Sequence, residues 1–192
     1  RVADVFLTKP QTAQVNRNEM LSSTVEQIYF VTGEANKPEV LCKLIDEADD
    51  FYGIIFCRTK AETDEVASKL SQKGYLAEAI HGDIEQAMRE KVLGRFKKRA
   101  VSILVATDVA ARGIDVPRIS HVINFGLPMK PEDYTHRIGR TGRAGRNGVA
   151  ITLVEHRDRA KIRNIERFTQ QDIVASVIAG LEPQAKPNFG GG

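Results

Sequence analysis

Residues 139–148 combine glycine and arginine at a regular spacing that suits phosphate chemistry. A glycine stands at every third position, and the first three glycines are each followed by an arginine: Arg140, Arg143 and Arg146. Glycine lets a backbone approach a ligand closely, and a planar guanidinium binds two phosphate oxygens at once. Two arginines three residues apart can therefore reach one triphosphate. The alternatives are a disordered Gly-Arg segment or a Gly-X-Y fragment, but three triplets are far too few for a triple helix.

The stretch 107–115 places a hydroxyl and a carboxylate directly after an apolar run at residues 101–106. The Thr107 hydroxyl and nearby backbone N–H groups can bind a phosphate, and the Asp115 carboxylate can bind a sugar hydroxyl. The alternative is an N-cap threonine followed by a short helix and a turn. The pattern leaves both interpretations open.

Two more segments hold polar residues that could meet an anion. Thr59 and Glu62 form a T-x-x-E capping box, and Thr59 is as good a candidate for a plain helix cap as for a ligand. The dipeptide Gly82-Asp83 precedes Arg89, a charged donor one turn into a helix that Asp83 is predicted to cap. A solvated side chain is the default interpretation of Arg89.

The histidines, cysteines and acids do not form a metal or nucleophile pattern. The four histidines and two cysteines lack the spacing of metal ligands, and His81 and His121 are predicted to be structural. Residues 46–49 spell Asp-Glu-Ala-Asp, the letters of a well-known Mg²⁺-binding, ATP-hydrolysing motif. That chemistry needs its acids at the end of a buried strand near a phosphate loop, whereas these follow a helical pattern and the chain has no Gly-Lys dipeptide. They are predicted to form a solvated helix end.

Charge is distributed unevenly along the 192 residues, whose net charge is +3. Residues 89–167 hold 18 basic and 8 acidic residues, a net charge of +10, and 13 of the 16 arginines. The remainder holds 10 basic and 17 acidic residues, a net charge of −7. Because an excess of arginine suits oriented phosphate contacts, one part of the chain is predicted to meet negative charge.

The composition excludes several classes of protein. The two cysteines, Cys42 and Cys57, cannot form a disulfide framework or a four-ligand zinc site and are interpreted as reduced thiols of an intracellular protein. No apolar run approaches the ~20 residues of a membrane span, so we expect no membrane partner and a cytoplasmic location, or a nuclear one in a eukaryote. The first residue is Arg1 rather than methionine, so we expect a piece of a longer protein. The sequence makes no prediction about oligomeric state.

Short apolar runs alternate with segments of helical spacing along the chain. The predicted strands are residues 27–32, 53–57, 76–80, 101–106, 121–125 and 149–154. The predicted helices begin near residues 36, 59, 83, 131 and 157. This alternation predicts an α/β fold with a mainly parallel central sheet flanked by helices. Ligands of such sheets bind beyond the carboxyl ends of strands, which selects the loops after Cys57, Ile80 and Ala106.

The two ends of the chain differ from its middle. Residues 1–26 lack clear periodicity and are predicted to be an incoming linker, so the folded domain is predicted over residues 27–182. Within that domain, residues 173–181 form an apolar segment that should dock on the body. Residues 183–192 are predicted to be a flexible Gly-rich tail.

Four segments in this order resemble the second, C-terminal RecA-like domain of DEAD-box ATP-dependent RNA helicases. GIIFCRTK is similar to motif IV, GDIEQAMR to motif IVa, ATDVAARGID to motif V and HRIGRTGRAGR to motif VI. The resemblance spans about residues 27–180 and implies a three-layer RecA-like fold. His136, which opens the last segment, distinguishes it from the DEAH and RecQ-type groups, which usually carry glutamine there.

The resemblance implies roles at an ATP site. Arg140 and Arg143 would be arginine fingers that touch the γ-phosphate and stabilise charge in the transition state. Asp115 would hold the ribose, and His136 would belong to the catalytic set. ATP and Mg²⁺ are the implied cofactors, and the metal ligands are expected in an N-terminal RecA-like domain rather than in this chain.

The resemblance also implies contacts with RNA and with that N-terminal domain. RNA phosphates and sugars would be held by Thr59, Gly82, Asp83, Arg89, Thr107 and Gly113. Because such contacts read the backbone, a weak sequence preference is expected. Arg112, His136 and Arg137 would face the N-terminal domain and couple ATP to RNA. The arginines that stay unassigned, and for which a solvated helix face is predicted, are Arg157, Arg159, Arg163 and Arg167.

The implied function is that of half an enzyme. The Q motif, the phosphate loop, the acidic Mg²⁺ motif and the Ser-Ala-Thr motif belong to the first domain, and residues 1–20 would be the remnant of its last helix and the linker. The two domains would close on ATP and RNA together and bend the RNA backbone, which opens a short duplex locally. The chain alone is therefore expected to hydrolyse no ATP. The alternatives are a non-catalytic RNA- or protein-binding module of helicase-like fold and the lobe of a DNA helicase.

Overall fold

Eight short strands form one sheet in the computed structural model, which describes residues 5–7, 25–143 and 146–178. They are β1 (Val5–Leu7), β2 (Val25–Val31), β3 (Gly53–Phe56), β4 (Ala77–Ile80), β5 (Ile103–Ala106), β6 (His121–Asn124), β7 (Gly148–Val154) and β8 (Val174–Ile178). Their order across the sheet is β1-β8-β2-β7-β6-β3-β5-β4. All neighbouring strands are parallel except β1 and β8, which pair antiparallel. The predicted α/β class with a mainly parallel sheet is confirmed.

Helices cover both faces of this sheet. In the described residues they are α1 (Lys37–Glu47), α2 (Lys60–Gln72), α3 (Gln86–Lys97), α4 (Asp108–Ala111), α5 (Pro131–Ile138) and α6 (Arg159–Thr169). Successive strand side chains point to opposite faces, so Ile55 of β3 packs with α1 and α2 while Ile54 packs with α3 and α4. A third cluster places α5 and α6 against β7, around Ile162. None of these described helices is both long and apolar enough to cross a membrane.

The strands are apolar because both of their faces are covered. Every residue of β3, β5 and β6 is buried, which explains the near-continuous apolar runs in the sequence. Two polar residues are the exceptions in these strands: His121 at the amino end of β6 and Asn124 at its carboxyl end.

Two predicted helix starts have different outcomes. Thr59 caps α2 as predicted, since its Oγ1 accepts a hydrogen bond from the Glu62 N–H at 3.0 Å. The predicted Asp83 cap is wrong, because α3 begins at Gln86 with Glu85 in the cap position. The Asp83 carboxylate instead binds the Lys60 ammonium, a charged donor that attracts it more strongly than a neutral N–H does.

The chain ends contribute to the sheet in a way the sequence predicted only in part. The apolar segment near the C-terminus docks as expected, because β8 lies between β1 and β2. The strand β1 lies in the segment that was predicted to be a linker; its three residues carry too little pattern to be recognised. The strand β2 begins at Val25, slightly before the predicted domain boundary. The rest of the predicted linker, residues 1–4 and 8–24, and the Gly-rich tail lie outside the described residues.

The acidic run at residues 46–49 lies at a helix end, as predicted. Asp46 and Glu47 are the last two residues of α1. The Asp46 carboxylate accepts a hydrogen bond from the Tyr75 hydroxyl at 2.6 Å. Its place at the end of a helix, rather than at the end of a buried strand, removes the geometry that phosphate-loop chemistry needs.

His121 is buried with one ring nitrogen unpaired. The residue is 6% exposed, its ring stacks on Phe51 with centroids 4.9 Å apart, and its Nδ1 lies 2.7 Å from Ser120 Oγ. Its Nε2 has no hydrogen-bond partner in the described structure. Burial therefore lowers the pKa of His121 to about 4, and the ring is neutral at neutral pH.

We expect this ring to make the domain sensitive to acid. Below its ordinary pKa of about 6.5, the unfolded chain binds a proton that the folded chain excludes until about pH 4, so folding stability falls by roughly 3 kcal/mol over that interval. Urea unfolding at several pH values, for wild type and His121→Phe, measures this loss. The half-exposed His156→Phe is the matched control and should keep the wild-type profile. Identical profiles for wild type and His121→Phe would contradict the assignment.

Candidate functional site

Lys60 joins the loops that follow β3 and β4 at the carboxyl edge of the sheet. Its Nζ lies 2.9 Å from Asp83 Oδ1, and this hydrogen bond and positive charge lower the pKa of the Asp83 carboxyl. Gly82 lies beside the same side chain, since a Cβ there would be 3.7 Å from Lys60 Cε. Thr59, the neighbour of Lys60, is exposed. The structure thus brings Thr59, Gly82 and Asp83 together.

The backbone after β4 is held by His81. Its Nδ1 accepts the Asp83 N–H at 3.2 Å, and its Nε2 lies 2.9 Å from Asp64 Oδ1. The residue is 8% exposed, in agreement with the predicted structural role. The Asp83 N–H is therefore engaged inside the domain, and what this loop offers to a ligand is its exposed surface rather than that particular donor.

Arg89 ties α3 to the segment after β5. Its Nη2 donates to Ala110 O at 3.0 Å and to Arg112 O at 3.4 Å. The side chain is half-buried, so the default interpretation of a solvated arginine is wrong. Both bonds come from one amino group of a guanidinium with five N–H donors, and the rest of the fork remains suited to an anion.

Residues 107–115 form a short helix and a tight turn. Thr107 caps α4, with its Oγ1 accepting from the Ala110 N–H at 3.4 Å, so the cap interpretation is confirmed. A threonine hydroxyl that accepts a hydrogen bond can still donate one, so the cap does not exclude a phosphate. Gly113 has a φ of +80°, a conformation that favours glycine. The turn buries Ile114 and leaves the Asp115 side chain 73% exposed.

Arg137 is buried inside this domain, with 1% of its side chain exposed. It binds both carboxylate oxygens of Asp108, through Nε at 2.6 Å and Nη2 at 2.8 Å. Its Nη1 donates to Asn124 Oδ1 at 3.1 Å and to Gly126 O at 3.0 Å, and its guanidinium lies 5.1 Å from the Phe56 ring centroid. The expectation that Arg137 faces another domain is therefore corrected, because partners within this domain bind all three of its guanidinium nitrogens and bury the side chain.

Arg140 and Arg143 lie beside Asp115. Arg140 Nη1 donates to Ile114 O at 2.5 Å, and Arg143 Nη1 lies 2.9 Å from Asp115 Oδ1. Burial, followed by the charge of Arg143, lowers the pKa of Arg140, and Asp115 opposes this shift. A guanidinium stays protonated at neutral pH all the same. The structure brings these three predicted ATP-site residues into one cluster, the Arg140–Arg143–Asp115 cluster.

Gly148 serves packing within the fold. A Cβ at this position would lie 2.3 Å from Thr141 Oγ1 and 2.7 Å from the Gly142 nitrogen. Thr141 in turn is 2% exposed and donates from Oγ1 to Ile119 O at 2.5 Å. Over its described residues the Gly-Arg segment is held by the fold, as predicted. At Gly148, however, the close approach is to this segment itself rather than to a ligand.

Two predicted contact residues are exposed. His136 lies in the last turn of α5, and Arg112 follows the last residue of α4. Their side chains are free of the burial that Arg137 shows, so each can meet a second domain. Their role in such a contact stays a prediction.

Three residues that connect the site were not singled out from the sequence: Lys60, Asp108 and Asn124. Asn124 is 0% exposed and donates from Nδ2 to Thr152 Oγ1 at 3.0 Å, while its Oδ1 accepts from Arg137. A polar residue inside an apolar strand was an available signal, since a buried amide must be hydrogen-bonded. Asp108 and Lys60 carried no such signal, because an acid or a lysine in the first turn of a helix is ordinary.

The described residues contain no group of three or more His, Cys, Asp or Glu side chains that could hold a metal ion. Cys57 is buried and Cys42 half-buried, and neither is in a disulfide. Burial raises the pKa of the Cys57 thiol, so it is not an activated nucleophile. The expectation that Mg²⁺ ligands lie outside this chain stays a prediction.

The family model of the helicase conserved C-terminal domain matches residues 36–145, more than half of the chain. The match contains every predicted site residue, from Thr59 to Arg143. The chain belongs to this family. The resemblance to the C-terminal RecA-like domain of DEAD-box proteins, stated from four motifs, is thereby confirmed.

Relatives of this helicase domain are DEAD-box proteins. The DEAD-box ATP-dependent RNA helicase CshA of Geobacillus kaustophilus is 46% identical over 171 residues, 89% of this chain and 37% of that protein. The chain spans about a third of the length of the curated relatives it matches. The crystal structure of a DEAD box protein from Methanococcus jannaschii is 47% identical, with a TM-score of 0.75 over 81% of this chain and 42% of that one. Dbp5 of S. cerevisiae, bound to RNA and ADP BeF3, is 33% identical, with a TM-score of 0.76 over 84% of this chain and 44% of that one.

Proposed function

We propose that this domain completes an ATP site and an RNA groove in a longer DEAD-box helicase that opens short RNA duplexes. The observation that carries the proposal is that residues 107–115 contact both groups of candidate residues. Arg89, a candidate RNA contact, binds this segment at Ala110 and Arg112. Arg140 and Arg143, the candidate ATP contacts, bind the same segment at Ile114 and Asp115, and the buried Arg137 binds it at Asp108.

The Arg140–Arg143–Asp115 cluster fits a nucleoside triphosphate. Its two guanidiniums match phosphate oxygens, and its exposed carboxylate can accept hydrogen bonds from ribose hydroxyls. ATP with Mg²⁺ would supply the phosphoanhydride bond that is hydrolysed, and Arg140 and Arg143 would stabilise the negative charge that develops during transfer. The ion pair between Arg143 and Asp115 is solvent-exposed and worth at most about 1 kcal/mol, so a competing phosphate can separate it.

The carboxyl edge of the sheet fits an RNA backbone. Thr59, Arg89 and Thr107 present two hydroxyls and a guanidinium there, and Gly113 keeps the neighbouring turn free of a side chain. Lys60 neutralises the Asp83 carboxylate, which otherwise repels a phosphate at this edge. These groups recognise phosphate and sugar, so we expect little sequence preference.

The paired contacts of α4 offer a route by which RNA and ATP act together. Asp108 and Arg137 share two charge-assisted hydrogen bonds, so α4 and α5 move as one unit. A shift of Arg89 on RNA would move α4 through the carbonyls it binds, and α5 would carry Arg140 with it. His136 and Arg112, both exposed, would meet the N-terminal domain when the two domains close.

We expect the purified 192-residue chain to hydrolyse no ATP, with or without RNA, because the phosphate loop and metal ligands of the proposed site lie in the other domain. Steady-state ATPase assays of the chain and of the full-length protein, at equal concentration and with the same RNA, test this. The full-length protein should be active and RNA-stimulated. Robust RNA-stimulated ATPase activity from the chain alone would overturn the division of the site between two domains.

The same assays separate the two alternative functions. RNA and DNA single strands of equal length should stimulate a full-length RNA helicase differently, with RNA the effective ligand, because a 2′-hydroxyl distinguishes the two. Equal stimulation by DNA would favour a DNA helicase lobe. A full-length protein that binds RNA but hydrolyses no ATP would favour the non-catalytic binding module.

A further inference from the structure

A cleft of about 460 Å³ lies between α6 and the strands β2 and β8, away from every residue assigned above. Its lining includes Tyr29 of β2, Ala175 of β8, and Arg159, Ile162, Arg163 and Glu166 of α6. Ligand pockets have volumes of about 300–1,000 Å³, so one nucleotide unit fits in a cleft of this size. We call this feature the α6 cleft.

Two exposed arginines line the α6 cleft. Arg159 and Arg163 are one helical turn apart, which places their Cβ atoms about 5–6 Å from each other on one face. Both are exposed, and within the described residues neither forms an ion pair. Two basic neighbours, in contrast, form ion pairs. Lys161 Nζ lies 3.2 Å from Asp158 Oδ1, and Arg157 Nε lies 3.6 Å from Glu155 Oε1. Arg159 and Arg163 therefore remain available to a ligand, as does exposed Arg167 of the same helix, which lies outside the lining of the cleft.

Glu166, the acidic residue of the cleft, offsets one of these two charges and leaves the lining with a net charge of +1. Glu166 Oε2 accepts the backbone N–H of Ile173 at 2.8 Å, which orients the carboxylate toward the chain segment after α6. Buried Ile162 and the ring of half-buried Tyr29 form the remaining walls. Guanidiniums beside an aromatic ring are the combination that single-stranded nucleic acids require, because phosphates bind the cations and bases stack on the ring. An acidic peptide would use the cations but would leave the ring without a stacking partner.

Arg159 places one end of the α6 cleft near the carboxyl edge of the sheet, where the RNA candidates lie. The helix α6 begins shortly after the carboxyl end of β7, which is two strands from β3 and three from β5. The cleft itself lies at β2, which is three strands from β3 and four from β5, so at about 4.8 Å per strand it is roughly 14–19 Å along the sheet from the Thr59 and Thr107 loops. About four to six stacked nucleotides, at about 3.4 Å each, cover that distance.

We propose that the α6 cleft binds a single-stranded RNA segment that continues beyond the groove of Thr59, Arg89 and Thr107. Arg159 and Arg163 bind its phosphates, and Tyr29 stacks on one base. The proposal rests on the proposed function, because it extends the RNA path of the same domain. The proposal gives a role to Arg159 and Arg163, which are exposed and form no ion pair in the described residues.

The test uses the full-length protein and single-stranded oligouridine probes of about 6 and about 16 nucleotides, the range that single-strand binding sites cover. Arg159→Ala/Arg163→Ala should weaken binding of the long probe about tenfold and leave the short probe unchanged. Losing two phosphate contacts should also reduce the slope of log K against log salt by about 1.4 for the long probe. Tyr29→Leu should weaken long-probe binding about fivefold or more without changing that slope.

Matched controls keep charge and folding effects apart. Arg157→Ala/Lys161→Ala removes the same charge from the same region, but from residues already paired with carboxylates, and should leave long-probe affinity within about twofold of wild type, as expected of exposed ion pairs. Thermal unfolding confirms that each variant is folded. Unchanged long-probe affinity in Arg159→Ala/Arg163→Ala, or equal weakening of both probes, overturns the proposal, and the former points to an acidic protein segment instead. If wild type binds neither probe, the proposed RNA function itself fails.

Discussion

Replacing Arg140 and Arg143 with alanine in the full-length protein is expected to lower RNA-stimulated ATP hydrolysis by about 10³-fold or more while the domain stays folded. Arginine fingers act on charge that develops during phosphoryl transfer, so kcat should fall far more than the KM for ATP rises. The fold should persist, because the exposed pair with Asp115 and the Arg140 bond to Ile114 O each contribute only about 1 kcal/mol. Steady-state kinetics and thermal unfolding measure the two effects.

Arg146→Ala is the matched control for the two fingers. Arg146 belongs to the same Gly-Arg segment and is exposed, and in the described structure it forms no ion pair. Its removal takes away one positive charge from the segment and should leave kcat within a few-fold of wild type. Should Arg140→Ala and Arg143→Ala also retain activity within about tenfold of wild type, the assignment of this cluster to the γ-phosphate is incorrect.

Asp108→Ala is expected to destabilise the domain by about 3 kcal/mol, because it leaves the Arg137 guanidinium buried without its carboxylate. The estimate lies at the lower end for buried pairs because the Asp108 side chain is 33% exposed. For a domain of this size, 3 kcal/mol lowers Tm by about 6–12 °C. Arg140 follows Arg137 by one turn, so ATP turnover measured well below the new Tm should also fall, by about 10² for a displacement near 1 Å.

Two further variants separate stability from positioning. Asp108→Ala/Arg137→Met removes the unpaired charge and should recover much of the lost Tm, yet ATP turnover should stay low because α4 and α5 are no longer tied. Glu132→Ala, an exposed acid in the first turn of α5, should change stability by less than about 1 kcal/mol and leave turnover intact. If ATP turnover recovered along with Tm in the double variant, the Asp108–Arg137 ion pair would contribute to stability but not to the positioning of Arg140.

The uneven charge of the chain resolves into separate groups in the structure. Arg137 is an internal tie, Arg140 and Arg143 form a cluster with Asp115, and Arg89 bridges two helices. The exposed arginines of α6, together with Arg112 and Arg146, fit the simple view of a basic surface. A local excess of arginine therefore indicated many oriented contacts, several of which lie inside the domain.

Much of the fold followed from local patterns. The apolar runs at β3 and β5 and the T-x-x-E cap at Thr59 predicted strands and a helix start that the structure contains. These features depend on neighbours within a few residues, so the sequence displays their causes directly. Local patterns did not predict β1, because its three residues pair with β8, a segment that is far away in the chain.

The sequence by itself singled out the candidates for phosphate chemistry: the arginines of the Gly-Arg segment, the carboxylate of Asp115 and the hydroxyls of Thr59 and Thr107. Their residue types and spacing sufficed, because phosphate recognition depends on a few donor groups. Only the tertiary structure showed that Arg137 is buried in an ion pair with Asp108 and that Lys60 forms an ion pair with Asp83. It also showed that Arg159 and Arg163 line a cleft beside Tyr29. The physical reason is that a charged side chain takes the partner nearest in space, and the sheet order brings distant segments within hydrogen-bond reach.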